Sequence, residues 1–180
     1  MTASVRETGP SLGERLSGPY AMSALAVSLG MGATVGTAIG FEKIGGYIPC
    51  MLCLQQRIPY YVGIPLMMVT LVLVLFRFPS ILTRGLLVAG GVLMLYSFYL
   101  GAFHAGVEWG WWTGPHDCGV VAAPDTGAAG SGILDAINTV IPPSCNVAAL
   151  RVLGLSFAGW NALASLLLSA IAFGGAFARG

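Results

Sequence analysis

Residues 58–103 read IPYYVGIPLMMVTLVLVLF RFPSILTR GLLVAGGVLMLYSFYLGAF, two charge-free runs of 19 residues joined by the turn Arg77-Phe-Pro-Ser-Ile-Leu-Thr-Arg84. An α-helix rises about 1.5 Å per residue, so about 20 apolar residues cross the roughly 30 Å of hydrocarbon in a bilayer. Each run is long enough to span, and the short turn forces the two helices antiparallel. Two further charge-free runs flank the pair: Leu16–Phe41, 26 residues whose hydrophobic body begins at Tyr20, and Val152–Ala178, 27 residues. The first exceeds the roughly 7–15 apolar residues of a signal-peptide core and reads as a span. The chain is therefore expected to be an all-α membrane protein, a four-transmembrane-helix antiparallel bundle making one integral membrane domain over residues 1–180. Its helices fall at about 20–41, 54–76, 85–103 and 152–178, with outer loops at about 42–53 and 104–151.

Composition agrees and excludes the alternatives. Of the 180 residues, 56% are hydrophobic and 8% charged, whereas a soluble domain carries about 25% charge. Disorder needs the opposite balance, low hydrophobicity with high charge. A net charge of +1 lacks the basic surplus of a nucleic-acid binder.

Basic residues in short loops set the orientation. Arg6, Arg15, Arg77, Arg84 and Arg179 make five on one side, against Lys43, Arg57 and Arg151 on the other. Both termini are expected to face the cytoplasm, with the two cysteine-bearing loops outside. In the second outer loop Ile133, Leu134, Ile137, Val140 and Ile141 recur at helical spacing before Pro142 and Pro143. Too short to span, this segment reads as an amphipathic helix on the membrane surface. Trp109, Trp111 and Trp112, with Tyr47, Tyr60 and Tyr61, fit an interfacial aromatic belt. Gly32, Gly36 and Gly40 form a stripe expected to let a neighbouring helix approach closely. Pro59 and Pro65 are expected to kink or loosen the second span.

The four cysteines, Cys50, Cys53, Cys118 and Cys145, all fall in the outer loops, where an even count favours disulfides. A four-thiolate zinc site is disfavoured, because Cys118 and Cys145 lie 27 positions apart and lack knuckle spacing. Cys50-Met-Leu-Cys53 closes too small a loop to stabilise the fold much, so such a pair more often serves chemistry. At a helix N-terminus the partial positive charge favours a thiolate. Arg57 lies one helical turn beyond Cys53. A guanidinium at the hydrocarbon edge needs a partner, which a thiolate or a quinone oxygen would supply; otherwise it snorkels to the headgroups. Cys118 and Cys145 sit in a loop rich in Gly and Pro, read as mobile and accessible. They make either a structural disulfide or the entry to a relay that delivers electrons to Cys50 and Cys53.

Cys50-Met-Leu-Cys-Leu-Gln-Gln-Arg57 resembles the CxxCxx(E/Q)R motif of the DsbB family, quinone-linked membrane thiol oxidoreductases that reoxidise periplasmic DsbA-type proteins. The tracts Phe103-His-Ala-Gly-Val-Glu-Trp-Gly-Trp-Trp112 and Leu153-Gly-Leu-Ser-Phe-Ala-Gly-Trp-Asn-Ala-Leu-Ala164 resemble its shorter members. The likeness covers about residues 20–175. It departs after the second loop cysteine, where Cys145-Asn-Val-Ala-Ala-Leu-Arg151 replaces an acidic residue and a tryptophan.

The resemblance implies an enzyme of the bacterial inner membrane with four catalytic cysteines. Cys118 would form the mixed disulfide with a DsbA-type thioredoxin-fold protein, paired with Cys145. Cys53 would react with quinone, ubiquinone in preference to menaquinone, and Arg57 would belong to the quinone site. Gln56, His104 and Glu108 are secondary candidates there, His104 being read first as a helix-end residue. No metal is expected. A vitamin K epoxide reductase-like protein is disfavoured because it places CxxC after the loop pair. The alternative from another class is a non-catalytic membrane subunit with two structural disulfides.

Overall fold

The computed structural model describes residues 12–115 and 145–178. They form a short helix α1 (Leu12–Leu16), then α2 (Pro19–Lys43), α3 (Met51–Leu75), α4 (Ser80–Glu108), a hairpin of β1 (Arg151–Val152) and β2 (Leu155–Ser156), and α5 (Phe157–Phe177). Helices α2 to α5 are each long and apolar enough to cross a bilayer. The expected four-span all-α architecture is the one observed. Cys118 and the amphipathic segment at 133–141 lie outside the described residues.

The most extensive contact is between α4 and α5; α3 with α4, α2 with α3 and α2 with α5 complete a ring, with α2 and α4 set diagonally. Met31, Tyr60, Met67, Leu87, Met94 and Leu168 fill its centre. Glycines let these long side chains in. The space a Cβ would need at Gly63 is taken by Met31, at Gly90 by Met67 and at Gly91 by Phe173. Gly101 instead faces backbone, with Ala162 N at 3.0 Å and Ala158 O at 3.1 Å from where its Cβ would be. The Gly32, Gly36 and Gly40 stripe does none of this. Nothing lies within 4 Å of those positions, and α2 meets α5 elsewhere, with Ser23 against Gly175 and Leu168 against Gly30. Outside the ring, Leu29, Val69, Tyr99 and Leu167 are exposed, as lipid-facing side chains are.

Boundaries shift where polar residues prove compatible with a helix. Helix α3 starts at Met51 and not at 54, so Cys53 lies inside a span and not in a loop. It runs through Pro59 and Pro65, each of which removes one i→i−4 bond. Helix α4 extends from Ser80 to Glu108, beyond the expected 85–103. Helix α5 starts at Phe157 and not at 152. Residues 151–156 form the hairpin instead, with Leu153 at φ 53 and Gly154 at φ 85. Two consecutive positive φ values are what a tight hairpin turn requires. Ser156 then caps α5, its Oγ accepting from Gly159 N at 3.2 Å.

At the end opposite the CxxC, Arg15 Nη1 donates to Leu75 O at 3.0 Å and Arg84 Nε to Ala176 O at 2.9 Å. Two of the basic residues counted for orientation thus satisfy the carbonyl ends of α3 and α5.

Candidate functional site

Pro49 brings the chain in extended, and Cys50 serves as the N-cap of α3 with φ −81 and ψ 171. Three residues of helix then carry Cys53 back to the same face, with its Sγ 3.3 Å from that of Cys50. Both are free thiols. The hydrogen bond from Cys53 holds the Cys50 thiol well below its usual range; His104 adds to the effect and burial opposes it. Cys50 is thereby prepared to act as a thiolate, the form that exchanges with disulfides.

Cys145 is disulfide-bonded and only 1% exposed, in a buried cluster with Cys50, Leu52 and Val107. This corrects the reading of Cys145 as an exposed residue of a mobile loop. Apolar packing against the start of α3 and the end of α4 buries it beside the CxxC.

Arg57 has a partner the sequence reading did not name. Its Nη1 donates to Glu42 Oε2 at 2.6 Å, with the side chains 13% and 25% exposed. Glu42 stands in the last turn of α2, facing α3 across the loop. An acidic residue ending one charge-free run, opposite the arginine that opens the next, was the available signal.

His104 is not a helix-end residue. It is buried within α4, four residues before its last residue. Its Nε2 lies 3.7 Å from Cys50 Sγ and its Nδ1 lies 2.8 Å from Gln56 Nε2. Glu108, one turn on, places Oε1 3.7 Å from His104 Nε2. Its Oε2 is buried with no hydrogen-bond partner among the described residues.

Behind Gln56 runs a polar network. Asn161 Nδ2 donates to Gln56 Oε1 at 2.8 Å, and Tyr60 OH donates to Asn161 Oδ1 at 2.6 Å. Ser165 Oγ lies 2.8 Å from Tyr60 OH and 3.0 Å from Ser97 Oγ. Tyr60 is thus no belt residue but a core side chain, 1% exposed. Trp109, Trp111 and Trp112 are exposed, as a belt requires. Ser97, Asn161 and Ser165 were missed although polar groups inside apolar runs are costly unless partnered; their i,i+4 spacing at 161 and 165 was the available signal.

A cavity of about 650 Å³ opens beside the CxxC between α2, α3 and α5, beneath the hairpin. Apolar side chains dominate its walls, among them Val35, Ala38, Phe41, Ile48 and Phe157. The polar groups on them are few: Cys53, Gln56, Arg57, Tyr60, Glu42 and Asn161 are the main ones. A largely apolar cleft with a few placed polar groups is the usual form of a small-molecule site. Cys50, His104 and Glu108 are not among the lining residues. The Cys50 and Cys53 sulfurs and a His104 ring nitrogen lie within 4.8 Å of one another, close enough by distance alone to share a cation.

Neither a curated protein nor a solved structure matches the chain. One family model does, that of the disulfide bond formation protein DsbB, over residues 20–174. With four spans, a thiol pair at the head of α3 and a disulfide-bonded cysteine packed beside it, the chain belongs to the DsbB family and is a multi-pass membrane oxidoreductase that acts on disulfides.

Proposed function

We propose that the protein reoxidises the dithiol of a periplasmic DsbA-type thioredoxin-fold protein and passes the two electrons to a membrane quinone, ubiquinone in preference to menaquinone. It acts as one integral membrane domain of the bacterial inner membrane, both termini cytoplasmic and the CxxC end periplasmic. One observation carries the reading: of the two thiols, only Cys53 reaches the cavity. Both pack into the cluster with Cys145 beside His104, but Cys53 also lies on the wall of the apolar cavity with Arg57 one turn away.

In this reading Cys118 receives the substrate's thiolate as a mixed disulfide, and the substrate's second thiol releases it. The substrate leaves oxidised, and Cys118 and Cys145 are left as thiols. One of these opens the Cys50–Cys53 disulfide, and closure of the loop pair leaves the CxxC as the dithiol seen here. The cavity fits a quinone head in volume, in its apolar walls and in offering a cation, Arg57, that stabilises oxygen as it gains charge. A bound quinone supplies the two-electron sink, taking up the two electrons and two protons of the Cys50–Cys53 dithiol.

Purified protein, a reduced DsbA-type substrate and a soluble quinone test this. Quinone reduction should be continuous in the parent and absent in Cys53→Ala. Intact disulfides that resist mild reductant, with no quinone reduction, would instead establish the structural-disulfide subunit.

A further inference from the structure

The hydrogen bonds behind His104 have a direction. Gln56 Nε2 lies 3.2 Å from Leu52 O, and a carbonyl oxygen only accepts, so the nitrogen of the Gln56 amide is on that side. The other amide atom, Oε1, accepts from Asn161 Nδ2, and the Asn161 amide is oriented in turn by Tyr60 OH donating to its Oδ1. The second hydrogen of Gln56 Nε2 therefore points at His104 Nδ1, 2.8 Å away. Nδ1 must accept. In the neutral ring the proton then sits on Nε2, the atom that faces Cys50 Sγ at 3.7 Å.

We propose that the buried chain Tyr60–Asn161–Gln56 is a positioning device that fixes the tautomer of His104, so that its Nε2–H donates to the Cys50 sulfur. None of the three touches that sulfur; they act through the imidazole. A donor aimed at the sulfur favours its charged form and makes it the better leaving group in disulfide exchange. The same tautomer offers no lone pair toward the cluster, so the imidazole does not complete a metal site with the two thiols. The inference rests on thiol chemistry at the CxxC and needs neither the quinone nor the partner protein.

The groups facing Cys50 are Cys53 from α3, Glu108 from α4 with Arg151 beyond it, and the disulfide-bonded, non-titrating Cys145. The test holds these constant and changes only the chain behind His104. Gln56→Glu keeps the acceptor for Asn161 but presents a carboxylate to Nδ1, which would draw the proton there. Asn161→Leu releases the Gln56 amide. Ser169→Ala removes another buried hydroxyl of α5, one that donates to Gly91 O at 3.0 Å and bonds no member of this chain, and so reports any purely structural effect.

Two readouts apply to the reduced full-length protein in detergent. Selective ¹⁵N labelling of histidine reads the tautomer of His104, and alkylation followed by mass spectrometry reads Cys50 across pH 3–9. The parent should show the Nε2–H form and Gln56→Glu the Nδ1–H form. Asn161→Leu should move the midpoint of the Cys50 alkylation profile about one pH unit upward, a tenfold change in thiolate fraction below it, while Ser169→Ala keeps the parental profile. Should Asn161→Leu fail to fold, the tautomer in the parent and in Gln56→Glu decides alone. An Nδ1–H form in the parent, an unchanged tautomer in Gln56→Glu, or an Asn161→Leu profile no different from that of Ser169→Ala, overturns the proposal. No quinone is added, so failure here and failure of the proposed electron acceptor remain separate results.

Discussion

At the scale of single residues, Arg57 and the cysteines carry the most direct tests. Arg57 is held by Glu42 on the cavity wall. Arg57→Ala should raise the apparent KM for quinone about tenfold, equivalent to about 1.4 kcal/mol, with the cysteine pairs accumulating reduced. Glu42→Gln loosens the hold on Arg57 and should raise it about two- to threefold, as for other partly exposed pairs. Steady-state quinone kinetics measure both; parental kinetics in Arg57→Ala would make it a lipid-headgroup anchor. The cysteine pairs are separable by trapping, because a mixed disulfide survives only when its resolving thiol is removed. A DsbA-type protein lacking its second, releasing cysteine should open the Cys118–Cys145 disulfide with its remaining thiol, Cys145 leaving as the thiol, and stay bound to Cys118 as an adduct on non-reducing electrophoresis. Cys53→Ala should block quinone reduction yet leave the loop pair able to undergo one exchange. An adduct through Cys50 and never through Cys118 would reverse the assigned entry point.

At the scale of the helices, glycine position decides what a substitution does. Gly101 faces the backbone of α5, with Ala162 N 3.0 Å from its missing Cβ, whereas Gly36 faces open space. A leucine at 101 must push α4 and α5 apart, and overpacking of this kind costs about 1–3 kcal/mol. Gly101→Leu should therefore lower the melting temperature in detergent and weaken the site, since Asn161 Nδ2 also lies 3.1 Å from that position. Gly36→Leu should stay within about 0.5 kcal/mol of the parent, as substitutions away from packed positions do. Equal losses in the two variants would place the helix contacts wrongly. The hairpin before α5 follows the same logic of backbone freedom: Leu153 at φ 53 is 87% exposed, held in a region that leucine rarely adopts.

At the scale of the whole molecule, the proposed orientation has both termini cytoplasmic and the CxxC end outside. In a cysteine-free background, a cysteine placed at exposed Trp111 should react with a membrane-impermeant thiol reagent in intact cells. One at exposed Phe78, in the turn between α3 and α4, should react only after lysis. The reverse pattern would invert the bundle. Four charge-free runs near bilayer length were enough to determine the number of spanning helices, because a helix is the only open segment that satisfies its own backbone in hydrocarbon. The motif from Cys50 to Arg57 was equally local, since one helical turn joins its members. Other features depended on contacts between segments distant in the chain. The burial of Cys145 beside Cys50, the Glu42–Arg57 pair and the Tyr60–Asn161–Gln56–His104 chain each join different elements. Sequence spacing carries the period of one helix but not the rotation of that helix against its neighbours. Tertiary packing sets that rotation, turning Tyr60 inward, Gly36 outward and one thiol of the pair onto the cavity wall.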